Sequence, residues 1–181
     1  FTVYQSWYSI INVIVTFNLS GNLILNGMSK YENRRNEFIS SIQTLSSCIT
    51  ICFFIAYLIF HNFFNHIFGL STLFMVTMFA QMLFDPAYLF WSQRQRYEYK
   101  YKLSGCVTIW SAILASVLSV VAVLGANSVG HENIAEVRLY ANYLVVYGVA
   151  AVIWVCLFWK GKTLYNKEYW KLSLSLSIPL I

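Results

Sequence analysis

Asp85 is the residue in this chain whose chemistry most needs an explanation. It lies in a run from Ile67 to Phe90 that is otherwise uncharged, with Thr77 eight and Gln81 four residues before it. At i, i+4 and i+8 the three share one helix face, a polar stripe about 12 Å long at the helical rise. A carboxylate in hydrocarbon must face a cavity, pair with a cation or take a proton, because an unpaired charge there is expensive. Two readings stay open. Asp85, with Gln81 beside it, serves ion coupling; or it fixes packing by pairing with Arg94 or Arg96. Pro86 removes a backbone donor and frees the carbonyl of Met82, which predicts a kink.

Two further groups have the types and spacing for binding. Asn18, Asn22 and Asn26 repeat at i, i+4 and i+8, so three amides share one face. Amides in lipid need water or partners, so the stripe lines a hydrated cavity or forms a hydrogen-bond ladder between helices. Asn18 and Asn22 are the candidate substrate-binding residues of this stripe. Arg94, Arg96, Lys100 and Lys102 put four cations into nine residues. Arg94, Arg96 and Lys100 are the candidates for holding an anionic group, although basic loops also orient any membrane protein.

Other chemistry is missing from the spacing. Cys48 and Cys52 sit one helical turn apart inside an apolar run, which is filler rather than a redox or metal pair. His61 and His66 have no acidic or Cys partner to complete a metal site. His131-Glu132 begins like a zincin motif, but Ala135 stands where the second His belongs. Asn18-Leu19-Ser20 matches a glycosylation acceptor inside a span, where it is unusable. No metal, cofactor, phosphate loop or nucleophile–base pair is expected, and the chain is not expected to be an enzyme.

The elements that must carry these residues follow from composition. Of 181 residues, 59% are hydrophobic and 10% charged, and the mean hydropathy is +0.60. A soluble domain carries about 25% charged residues. Apolar runs of about 20 residues span the hydrocarbon layer as helices. The runs are Tyr8–Leu25, Phe38–Phe60, Ile67–Phe90, Leu103–Leu124 and Leu139–Trp159, with a further one starting near Leu172. The fold class is therefore all-α, a polytopic membrane bundle of five spans plus the start of a sixth. The net charge of +5 belongs to loops at a membrane face and does not argue for nucleic acid.

Lys and Arg alternate between the loops. Segments 29–37, 91–102 and 160–171 hold three, four and four of them, eleven of the twelve in the chain. That asymmetry predicts these three segments to be cytoplasmic. The polar half of the second span (Ser40, Gln43, Thr44, Ser47, Thr50) and the small-residue seam of the fourth (Thr108, Ser111, Ala115, Ser119, Ala122) read as packing surfaces. Tyr140, Tyr143 and Tyr147 share one side of the fifth. With no initiator Met and an end inside Ile178-Pro179-Leu180-Ile181, the chain is expected to be an internal fragment.

Three stretches resemble one family. They are Gly27-Met28-Ser29-Lys30-Tyr31 with Asn33-Arg34-Arg35 and Ser40-Ser41; Asp85-Pro86-Ala87-Tyr88-Leu89-Phe90-Trp91 running into the basic loop; and Lys160-Gly161-Lys162 with Tyr169-Trp170 and the Ile178-Pro179-Leu180-Ile181 tail. They are similar to the loops of bacterial O-antigen and capsule flippases of the multidrug/oligosaccharidyl-lipid/polysaccharide exporter superfamily. The resemblance implies helices two to six and the start of seven, most of one lobe of a bundle of twelve to fourteen. It implies a transporter in the bacterial cytoplasmic (inner) membrane, moving undecaprenyl-diphosphate-linked oligosaccharide by alternating access. Its expected partners are that lipid-linked oligosaccharide, membrane lipids and the polysaccharide polymerase machinery. The alternative is an integral membrane enzyme acting on a lipid carrier, an acyl- or glycosyltransferase.

Overall fold

An uncharged run in a bilayer must satisfy its backbone internally, and a helix does so within one segment. The computed structural model, which describes residues 2–16, 22–128 and 134–177, follows that rule: every regular element described is helical. The helices are α1 (Thr2–Thr16), α2 (Asn22–Lys30), α3 (Arg35–Ile59), α4 (His61–Phe68), α5 (Thr72–Tyr97), α6 (Tyr101–Ser128), α7 (Ile134–Gly161) and α8 (Lys167–Ser177). Among the described residues, four stretches are long and apolar enough to cross a membrane: Glu32–Ile59, Thr72–Tyr97, Tyr101–Ser128 and Tyr140–Gly161. The expected span Tyr8–Leu25 is described in two pieces, parts of α1 and α2, with residues 17–21 outside the description. The third span begins at Thr72 rather than Ile67, because Gly69 takes a left-handed conformation (φ 62°) that caps a separate short helix, α4.

The charge alternation has a direct structural counterpart. All three basic segments meet at one end of the bundle. The Arg94 guanidinium donates to the side-chain carbonyl of Asn36 at the start of α3, and Arg35 lies over the Tyr97 ring at 4.8 Å. Ser40 donates to the carbonyl of Thr163 at 3.0 Å, and Tyr169 meets Phe38 edge-on at 5.5 Å. Helices separated by turns at both ends must alternate direction, so loops two spans apart return to the same face. At the opposite end, Trp7 packs edge-on against Phe68 at 4.7 Å.

Two apolar clusters hold the bundle. Near the basic end, Leu23, Ile24, Met28, Phe38, Ile39, Ile42, Ala87, Phe90 and Tyr169 are buried together. Nearer the other end, Tyr4, Val15, Tyr57, Met75, Met78, Phe79 and Met82 form the second. Helix α5 is central, with 44% of its most apolar stretch buried, whereas α6 has 11% and lies at the periphery. What α6 does bury is its small residues: Ser104, Ala115, Ser119 and Ala126. Small side chains let two backbones approach, so Ala115 and Ser119 of the seam predicted for the fourth span are packing surface, whereas Thr108 and Ser111 line a cleft.

Candidate functional site

The polar face predicted for the second span packs against α7 and α8, which meet most of it, although Gln43 Oε1 is buried there without a hydrogen-bond partner among the described residues. Gln43 donates to the carbonyl of Trp154 at 3.0 Å, the Trp154 indole N–H donates to Ser47 at 3.3 Å, and the Trp170 indole donates to Ser41 at 3.1 Å. Gly161 ends α7 so close to α3 that a Cβ there would strike Ser40 and the carbonyl of Asn36. These groups fasten α7 and α8 to α3.

Asp85 sits in a different setting. The Tyr8 hydroxyl on α1 donates to its Oδ2 at 2.6 Å, and the Tyr4 hydroxyl donates to Gln81 Oε1 at 3.1 Å. Gln81 also hydrogen-bonds Asp85. Tyr4 and Tyr8 are four residues apart, as are Gln81 and Asp85, so one turn of α1 matches one turn of α5 and the two helices run parallel here. Thr77, the third member of the stripe, donates to the carbonyl of Leu73 in its own helix. From α7, Tyr143 accepts a hydrogen bond from Gln5 at 3.0 Å and stacks on Tyr147 with ring centroids 5.2 Å apart.

Among the described residues, no Lys, Arg or His comes within ion-pairing range of Asp85. The expected pairing with Arg94 or Arg96 does not form. Arg94 is turned to Glu98, at 2.8 Å, and to Asn36, and Arg96 is exposed. The far side of Asp85 borders an open cleft of about 380 Å³ between α5, α6 and α7, with Tyr88, Thr108, Ser111 and Asn142 among its walls. Tyr88 and Thr108 share a 2.6 Å hydrogen bond across it.

A second groove of about 570 Å³ runs between the same three helices to the basic end, and Val149 borders both. Its mouth carries Arg94, Lys100 and Lys160. Lys100 donates to Glu98 at 2.9 Å. Burial raises the Glu98 carboxyl, but hydrogen bonds and charge from Arg94 and Lys100 outweigh that and hold it below the ordinary carboxylate range. Of the three loop cations singled out in the sequence, Arg94 and Lys100 line this groove and Arg96 does not.

Asn18 lies outside the described residues, and Asn22 opens α2 with its side chain outside the description. Asn26 is exposed. Sequence reasoning missed Tyr4, Gln5 and Tyr8 as the company of Asp85. The i, i+4 spacing of the two tyrosines was the available signal, and nothing in one helix says which other helix it faces. Lys160 and Trp91 were missed as groove residues for the same reason.

The described residues hold no cluster of three or more His, Cys, Asp or Glu able to bind a metal. No protein-family model, curated protein or solved structure matches the chain.

Proposed function

We propose that this bundle is one lobe of a transporter that flips undecaprenyl-diphosphate-linked oligosaccharide across the bacterial cytoplasmic membrane, for O-antigen, capsule or exopolysaccharide synthesis. The observation that carries the reading is Asp85. It is a carboxylate at membrane depth, unpaired by any described cation, held by a tyrosine on one side and open to a cleft on the other. Polar groups so placed mark substrate or ion pathways, because a merely structural role would be filled more cheaply by an apolar residue. In this reading Asp85, with Gln81, couples transport to an ion gradient, and Arg94 and Lys100 attract the diphosphate at the cytoplasmic mouth. The segments 29–37, 91–102 and 160–171 face the cytoplasm.

The test is genetic complementation in the producing cell. Deleting the protein is expected to stop surface polymer and to leave lipid-linked repeat units inside. Wild type restores export, and Asp85→Asn reaches normal abundance without restoring it. Normal polymer in the deletion strain would end the flippase reading, and full export by Asp85→Asn at normal abundance would end the coupling role. A single Cys at position 98 in an otherwise Cys-free protein should resist an impermeant thiol reagent in sealed cells. Reaction from outside would reverse the orientation.

A further inference from the structure

The groove at the basic end has a feature that neither packing nor ion coupling uses: a cationic mouth above a long apolar floor. Arg94, Lys100 and Lys160 stand at the mouth, while Val107, Val152 and Ile153 line the walls. Glu98 and Asn36 occupy the Arg94 guanidinium, and Glu98 takes Lys100 as well. Lys160 is exposed, and no acid lies in ion-pairing range of it among the described residues. The mouth therefore offers positive charge to one further anion.

The length of the groove says what kind of anion. Its lining on α7 extends from Lys160 to Gly148, about 18 Å at the helical rise. Half of a roughly 30 Å hydrocarbon layer is about 15 Å. A ligand with its charge at Lys160 and its apolar part along Val152 would thus reach the bilayer midplane and no further. That is the shape of one phospholipid in one leaflet. The leaflet at the side where basic loops lie is the one rich in anionic lipids.

We infer that the α5–α6–α7 groove is a binding site for an anionic bilayer phospholipid, its phosphodiester at Lys160 and an acyl chain between α6 and α7 down to Gly148. The lipid wedges the peripheral helix α6 against the rest of the bundle. The inference stands on the groove alone and holds or fails whether or not the protein is a flippase.

Photocrosslinking tests it on the full-length protein in phosphatidylcholine vesicles containing a trace of photoreactive phosphatidylglycerol. A probe with its reactive group at the chain end should label α7 near Gly148, and one reactive near the headgroup should label near Lys160. A photoreactive phosphatidylcholine should label several-fold less. Lys160→Gln should lower labelling about fivefold, the effect of one surface cation on anionic lipid. Cys156→Trp, at a position exposed in the groove wall, should abolish it by filling the space. Should that variant fail to fold, Lys160→Gln, which changes only an exposed head group, still decides. Equal labelling by the two lipids, unchanged labelling in either folded variant, or competition by polyprenyl diphosphate but not by phosphatidylglycerol would each overturn the inference.

Discussion

Two polar regions of this bundle look alike in the sequence and differ in the structure. The face of α3 around Gln43 and Ser47 and the stripe of α5 around Gln81 and Asp85 are both polar side chains at helical spacing within apolar runs. The first is sealed: the indole N–H groups of Trp154 on α7 and Trp170 on α8 and the Trp154 carbonyl meet it. The second is met on one side only, by Tyr4 and Tyr8, and borders a cleft on the other. Polarity inside a membrane is therefore two phenomena. One is adhesive between helices, where small and hydrogen-bonding residues replace the missing hydrophobic drive. The other keeps a charged group accessible at a standing cost in stability. Substitutions should separate them, the first region failing on folding and the second on chemistry.

The largest effect is expected at the sealed region. Gly161→Val would drive a side chain into Ser40 and the Asn36 carbonyl, and overpacking of this kind costs about 3 kcal/mol. Thermal unfolding in detergent should show a large fall in midpoint. An unchanged midpoint would mean that α7 and α3 have slack at this end and that the region is not sealed. Gln43→Leu removes one interhelical hydrogen bond and should cost about 1 kcal/mol by the same measurement.

At the open region Tyr8→Phe should cost about 1 kcal/mol or less, as a single intramembrane hydrogen bond does. Its larger effect is chemical. A hydrophobic carbodiimide should modify Asp85 in the wild type through the cleft and faster in Tyr8→Phe, read from the mass of the α5 peptide. No modification in either protein would show that the carboxyl is closed off and would erase the contrast.

The smallest effect lies at the groove mouth. Glu98 titrates below its unfolded value, so its contribution is present above the unfolded carboxyl pKa of about 4.3. It is lost as pH falls through the folded value. Glu98 is paired to Arg94 and Lys100 near the surface, so that contribution is about 0.5 kcal/mol or less. Glu98→Gln should flatten the acid limb of the stability profile without moving its neutral level by more than that. An acid limb unchanged in Glu98→Gln would place the titration elsewhere.

The sequence alone determined the helices and their common end. A helix closes its hydrogen bonds four residues away, so an apolar run in lipid has one solution that needs no knowledge of the rest of the chain. Loop cations every other crossing must return to one face, and the contacts among Asn36, Arg94, Ser40 and Thr163 put them there. The break at Gly69 was local too, but it was hidden by the apolar end of α4, since Ile67 and Phe68 continue the hydropathy of the next span without continuing its helix. Tertiary structure alone decided which polar stripe is covered by other helices and which borders a cleft. Spacing shows that Gln81 and Asp85 share a face and that Tyr4 and Tyr8 share another. That the two faces meet, while the far side of Asp85 borders a cleft with α6 and α7, depends on how separate helices pack, and side-chain periodicity along one helix carries no record of its neighbour.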